Sequence, residues 1–270
     1  MRTIVITGGT DGMGASLARH YLAAGERVVV IGRSRAKFDA LLASVVPSAR
    51  PRAGFIAADL SLVEDNRRAI DRLMRDHDRI DALILAASYI RQRRYVTSEG
   101  REASWSLFFL SKYLFVTELA ESLRTADRPV IVNTAVPGAR ADAIDFDDLE
   151  MADGFTFRRS NAQQRRANEV LGILATERNP ALGYLTWGPA RLVRTGFAGE
   201  VGTGMKVATA ILGPLLGQRA EDAVRPIIRL VDAPAPGRAA YRGAEALPLT
   251  SGAQDENDAA RLAAAVRASL

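Results

Sequence analysis

The sequence predicts a single α/β domain built on a doubly wound parallel sheet, and three observations lead there. Short apolar runs alternate with helical patterns along nearly the whole chain. A glycine-rich turn at residues 7–14 joins the first apolar run to the first helical pattern. The 270 residues, 48% of them hydrophobic and 25% charged, suit one well-buried globular core.

Taken in order, Thr3-Ile4-Val5-Ile6, Arg27-Val28-Val29-Val30-Ile31 and Gly54-Phe55-Ile56-Ala57 read as strands covered on both faces. Ala82-Leu83-Ile84-Leu85, Val130-Ile131-Val132 and Gly183-Tyr184-Leu185-Thr186 continue the series. Between them apolar residues recur at helical spacing, as in Met13, Leu17 and Tyr21. Ser61-Leu62-Val63-Glu64 has the pattern of a capping box and predicts a helix running into Ile70, Leu73 and Met74. Such alternation implies parallel strands with right-handed crossovers. No repeat, low-complexity stretch or linker interrupts it, so residues 1–270 read as one domain. The Gly- and Pro-containing segment 188–217 is the long irregular region, expected to cover a substrate.

Composition excludes several functions. Without cysteine there is no disulfide framework, no thiolate nucleophile and no cysteine zinc site. His20 and His77 lie among charged helical neighbours, which makes them surface residues rather than metal ligands. The net charge of +5 comes almost entirely from arginine, since Lys37, Lys112 and Lys206 are the only lysines, and no basic stripe interleaved with aromatics suggests nucleic acid. The longest apolar run, around residues 207–216, is too short for a membrane span. A strand begins within two residues of Met1, so no signal peptide is expected and a cytoplasmic location is.

Thr7-Gly8-Gly9-Thr10-Asp11-Gly12-Met13-Gly14 follows the first strand and opens the first helix. Glycines there let backbone N–H groups approach a pyrophosphate at the helix N-terminus, as in Rossmann-type dinucleotide sites. The Thr-Gly-x-x-x-Gly-x-Gly spacing resembles that of the short-chain dehydrogenase/reductase family. Ala58-Asp59-Leu60 is similar to the family's adenine contact, placing Asp59 and Leu60 in the site. Leu85-Ala86-Ala87-Ser88 stands where the family has Asn-Asn-Ala-Gly, so Ala86, Ala87 and Ser88 join the expected cofactor contacts. Thr97-Ser98-Glu99-Gly100, Ile144-Asp145-Phe146-Asp147-Asp148-Leu149 and the acidic, amphipathic tail 255–270 resemble its retinol-dehydrogenase-like branch.

The second strand ends Ile31-Gly32-Arg33-Ser34. An acid there would bind the ribose 2′-hydroxyl of NAD, whereas an arginine accommodates a 2′-phosphate. Arg33 offers a planar fork and Ser34 a hydroxyl donor, so NADP(H) is the expected cofactor.

The resemblance also locates four catalytic positions, and all four depart from the family pattern. Anchored on Phe146-Asp147-Asp148-Leu149 and Ala167-Asn168, the proton-donating tyrosine position falls on Asn161 and its lysine partner on Arg165. The carbonyl-polarising serine position falls on Val136, and the relay asparagine on Phe108 or Phe109. Asn161 can donate a hydrogen bond but not a proton, and Arg165 stays charged while still able to bond ribose hydroxyls. Thr134 is the nearest hydroxyl to the serine position. Trp187-Gly188-Pro189-Ala190-Arg191-Leu192-Val193-Arg194-Thr195 resembles the segment that contacts the nicotinamide carboxamide, with Pro189, Val193 and Thr195 as counterparts.

Three functions fit this pattern. The first is an atypical reductase that delivers NADPH hydride to a polycyclic aromatic ketone, the proton coming from the substrate or water. That profile resembles ketoreductases of angucyclinone polyketide biosynthesis. Tyr89, Tyr95, Phe108, Phe109 and Trp187 would line its pocket, and Arg91-Gln92-Arg93-Arg94 lies near the mouth of the crevice, as either an attractor for acidic substrates or a solvated run. The second is an NADP sensor that turns nothing over, and the third a non-redox cyclase or isomerase. A homo-oligomer is also expected: family members pair the helices at 108–123 and 161–174 across a two-fold axis. The first of these is apolar on more than one face through Leu107, Phe108, Leu110, Leu114, Phe115 and Leu119.

Overall fold

A computed structural model describes residues 1–194, 217–249 and 252–270. Thr195 and most of the segment 188–217 lie outside the described residues. The sheet runs β10-β9-β6-β5-β4-β1-β2-β3. Its strands are β1 (Thr3–Thr7), β2 (Arg27–Gly32), β3 (Ala53–Ala57), β4 (Ala82–Leu85), β5 (Val130–Asn133) and β6 (Gly183–Gly188), then β9 (Gly237–Arg242) and β10 (Glu245–Leu247). All pair in parallel except β10, which turns back antiparallel on β9. A separate short pair, β7 (Val193–Arg194) and β8 (Gln218–Arg219), lies outside this sheet.

Alternating side chains send each strand's apolar residues to both faces. Ile4, Ile6, Val28, Val30, Ile84 and Val132 pack under α1 (Gly12–Ala23), α2 (Arg35–Ala43) and, beyond the short α8 (Ala220–Ala223), α9 (Arg225–Asp232). Val5, Val29, Leu83, Leu85 and Ile131 pack on the other face, under α3 (Val63–Asp76), α5 (Ser111–Glu118) and α7 (Phe157–Arg178). The six strands expected from sequence are all present. β9 and β10 are additional, because Gly-Arg-Ala-Ala-Tyr-Arg has too little β-branched content to announce a strand.

The capping box at 61–64 does not form. Ser61 Oγ donates to Asp59 Oδ1 at 2.7 Å, and the first α3 amides, Val63 N and Glu64 N, donate to the Glu99 carboxylate at 2.6 and 3.0 Å. A carboxylate at the N-terminus satisfies orphan N–H groups and complements the helix dipole. Thr97-Ser98-Glu99-Gly100 is therefore a helix cap.

The helix leading to α5 starts with α4 (Ala103–Trp105), widens into a π-helical turn over Ser106–Leu110, and is followed beyond α5 by α6 (Ala120–Arg124). Asn168 Nδ2 donates to the Phe108 carbonyl at 2.8 Å. The apolar excess read for this helix is met inside the chain: Leu110, Leu114, Phe115 and Leu119 are all buried in one core with α3 and α7. The outer face of α7 is in turn covered by the C-terminal α10 (Ala253–Ser269), through Ala259, Leu262 and Val266. Exposed apolar surface on α5 thus falls away as the reason for pairing.

Candidate dinucleotide site

The strand order reverses between β1 and β4, and ligands of open α/β sheets bind at that switch point. A cavity of about 340 Å³ opens there, at the carboxyl ends of β1, β2, β3 and β4. Of the expected cofactor residues, Gly8, Thr10, Asp11, Gly12 and Met13 line it from the turn after β1. Arg33 and Ser34 line it from β2, Asp59 and Leu60 from β3, and Ala86, Ala87 and Ser88 from β4.

Close approach explains the glycines. Gly8 has φ +68°, and a Cβ there would lie 2.6 Å from the Ala87 backbone. A Cβ at Gly14 would lie 2.3 Å from the Gly8 carbonyl oxygen. Gly14 is thus a packing residue that lets α1 meet the turn, and it does not line the cavity. Asp11 caps α1 by accepting from Gly12 N at 2.7 Å, and its other oxygen pairs with Lys37. The first intrahelical bond runs from Ala15 N to Asp11 O, so the Met13 and Gly14 amides precede the ladder and remain available to an anion. These features fit a dinucleotide pyrophosphate.

At the β2 end, the Arg33 guanidinium stands 3.9 Å from Asp59 Oδ2 and lies over the Tyr89 ring, 5.3 Å from its centroid. Ser34 caps α2, accepting from Lys37 N at 3.3 Å, which leaves its O–H free to donate. Asp59 Oδ1 is engaged by Ser61, and its other oxygen faces Arg33.

Around the four catalytic positions the picture is different. Asn161 is exposed near the start of α7 and does not line the cavity. Arg165 donates from Nε to the Val136 carbonyl at 2.6 Å and from Nη2 to the Pro137 carbonyl at 2.7 Å, tying α7 to the turn after β5. Burial, with Arg242 nearby, lowers its pKa from the usual guanidinium value. Thr134 Oγ1 donates to the Leu85 carbonyl at 3.0 Å, which engages its proton at the sheet end. Phe109 is fully buried, 4.4 Å between ring centroids from Trp105. Trp187 is also core, its Nε1 donating to the Gly243 carbonyl at 2.9 Å. Of the five aromatics expected around a substrate, only Tyr89 lines the cavity. Pro189 and Val193 do not line it, and Val193 is buried against Ala220 and Ala223 instead.

Beneath these positions lies a network that sequence reasoning missed. Lys112, fully buried on α5, donates from Nζ to Asn133 Oδ1 at 2.8 Å. Asn133 Nδ2 donates to Asn168 Oδ1 at 2.7 Å and to Tyr184 Oη at 2.8 Å, and Tyr184 donates onward to the Asn168 carbonyl. Burial pulls the Lys112 ammonium down to a pKa of about 7 and pushes the Tyr184 phenol up. One lysine in a helical pattern carries no signal of burial, so nothing in the sequence marked it.

Comparison with known proteins agrees with this geometry. Residues 2–144 match the family described as short chain dehydrogenase, and the chain belongs to that family. Among curated relatives, the oxidoreductase calI of Penicillium decumbens is 30% identical over 180 residues, 63% of this chain and 51% of calI. DnrU of Streptomyces sp. (strain C5), a nominal daunorubicin C-13 ketoreductase, is 28% identical over 212 residues, 77% of this chain and 70% of DnrU. The chain thus spans about half the length of calI. Among solved structures, an alcohol dehydrogenase from Thermococcus sibiricus complexed with 5-hydroxy-NADP superposes with a TM-score of 0.64 at 15% identity, covering 92% of this chain and 99% of that one. At that identity the likeness shows the fold. Among the described residues no helix is long and apolar enough to cross a membrane, and no cluster of potential ligands could hold a metal.

Proposed function

We propose that this chain is an atypical NADP(H)-dependent ketoreductase acting on a carbonyl of a polycyclic, polyketide-type aromatic substrate, in the cytoplasm. The observation that carries it is a contrast along the chain: a dinucleotide cavity with its glycine turn and Arg33-Ser34 pair intact, and, outside that cavity, catalytic positions held by Asn161, Arg165 and Val136. The name of DnrU supports the substrate class.

Bound NADPH supplies hydride. The chain's own residues then bind and orient. The turn amide at Met13, with the open first turn of the helix behind it, would hold the pyrophosphate, and Arg33 with Ser34 would hold the 2′-phosphate. Arg165 fixes the turn at Val136 and Pro137, with Nη1 left to reach a ribose hydroxyl. No residue among these is a general acid, a step worth about two to four orders of magnitude in rate. A hydroxyl next to the substrate carbonyl would polarise it internally and replace the tyrosine.

Two experiments test this reading. NADPH should bind more tightly than NADH, and Arg33→Ala should remove most of the difference; equal wild-type affinities would refute the NADP assignment. With NADPH and a panel of polycyclic ketones, turnover should require a hydroxyl next to the carbonyl. Asn161→Ala should retain most of that turnover, and its abolition with normal NADPH binding would make Asn161 an essential hydrogen-bond donor. A sensor predicts no turnover on any ketone. The homo-oligomer also stays a proposal. Light scattering at micromolar concentration should show more than one chain, through a surface other than the buried apolar side of α5, and a monomer would refute it.

A further inference from the structure

The loop after β4 places a third cation in the dinucleotide cavity. Arg91 lines it together with Arg33 and Lys37. Its guanidinium lies over two rings, 4.8 Å from the Tyr89 centroid and 4.5 Å from that of Tyr95. Arg33 lies over the same Tyr89 ring at 5.3 Å, so one aromatic side chain carries both guanidinia. Aromatic faces hold guanidinium planes by cation–π attraction while leaving the N–H edge free for an anion.

Among the described residues the charges around Arg91 are unbalanced. The cavity's two carboxylates are already engaged, Asp11 with Lys37 and Asp59 facing Arg33. Among the described residues Arg91 makes no ion pair and no hydrogen bond; its contacts are the two rings. Its neighbours in the arginine run behave otherwise: Arg93 is exposed and does not line the cavity, and Arg94 Nε donates to the Glu150 carbonyl at 3.3 Å. Among the described residues three cations thus face two carboxylates inside one partly enclosed crevice, where net positive charge attracts an anion more strongly than in open solvent.

We propose that Arg91, held over Tyr89, is the second guanidinium of a two-arginine clamp on the 2′-phosphate and so a determinant of NADP(H) preference. This rests on the NADP reading above. The phosphate is favoured over an acidic substrate group because Arg91 shares its platform ring with Arg33, at the β2 end. The turn at Val136 and the exposed Asn161, where a carbonyl would react, do not line this cavity.

The test is nucleotide binding by calorimetry, without turnover, on the full chain. The probes are 2′,5′-ADP against 5′-ADP and NADPH against NADH; the variants are Arg91→Gln, Arg33→Gln and the double substitution. Loss of a charge-assisted hydrogen bond should weaken 2′,5′-ADP and NADPH by about tenfold or more in Arg91→Gln. 5′-ADP and NADH should bind as to wild type, which also reports an intact fold. Raising salt should narrow the gap between wild type and variant. Unchanged 2′,5′-ADP binding in Arg91→Gln, or equal weakening of all four probes, overturns the clamp. Normal nucleotide binding with a raised KM for an acidic ketone assigns Arg91 to substrate and also overturns it. A wild type that fails to discriminate 2′,5′-ADP from 5′-ADP instead refutes the underlying NADP reading, so the two failures are separable.

Discussion

Replacing Arg166 with alanine should release the C-terminal helix and lower stability by about 3–5 kcal/mol, the range found when one partner of a buried ion pair is removed. Arg166 is 1% exposed on α7, its Nη2 pairing with Asp255 and lying 3.5 Å from Asp258, both on α10 and themselves buried. Nη1 faces Glu169 at 3.8 Å, and that carboxylate, its pKa raised by burial, accepts from Gly138 N and Ala139 N beyond β5. Truncation would leave two buried carboxylates without their cation. Hydrogen exchange should show α10 losing protection first, because its remaining ties would be the apolar face through Ala259, Leu262 and Val266, the Arg101 bond to the Ser269 carbonyl and Arg261 over the Phe146 ring. Converting Arg166 and its two α10 partners together, Arg166→Met with Asp255→Leu and Asp258→Leu, should recover most of the loss, since a well-packed apolar replacement of a buried ion cluster is often neutral or better. An Arg166→Ala melting point within a degree or two of wild type would show that α10 is held by those other ties alone.

The parts of the fold legible in the sequence are those whose physics is local. Thr3-Ile4-Val5-Ile6 and Ala82-Leu83-Ile84-Leu85 are apolar because both faces of a central strand are covered, and that requirement is written at the strand itself. Gly8 and Gly14 were legible because a turn that lets backbone meet backbone excludes a Cβ. What failed depended on a distant partner. Ser61 and Glu64 have the right spacing for a capping box, yet Glu99 reaches the Val63 and Glu64 amides from 36 and 35 residues away. Trp187 sits at a strand end expected to face substrate, and only the completed fold shows its indole bonded to Gly243 on the turn after β9. Arg166, one residue past Arg165, carries no local signal that Asp255 and Asp258 return to it. By sequence Arg91 reads as either an attractor or a solvated charge, and its contact with Tyr89 and Tyr95 is what separates it from Arg93.

Stability should rise with pH between about 7 and 10.5 through Lys112, and Lys112→Met should abolish that rise. The ammonium is fully buried, and desolvation is the sole cause of its depressed pKa: no charged group on β5, β6, α3 or α7 contributes a Coulombic shift. A depressed folded-state pKa means that below about 7 both states hold the proton, and the native state bears the full cost of burying the charge. Above that value the native lysine is neutral while the unfolded one still binds a proton, up to the ordinary 10.5. Stability then climbs by about 1.4 kcal/mol per pH unit per proton, levelling off once both forms are neutral. Lys112→Met keeps the length of the side chain and removes the charge. Asn133 Oδ1 still accepts from Ala135 N at 3.1 Å, so the network under the β5 turn is not stripped of donors. The stability of the variant relative to wild type should therefore be greater at pH 6 than at pH 10 by several kcal/mol. The difference should shrink steadily toward pH 10 in urea titrations. Tyrosines such as Tyr184 titrate alike in both proteins and cancel in that difference. A difference independent of pH would mean that water or relaxation already solvates Lys112 and that its ammonium is charged throughout the neutral range.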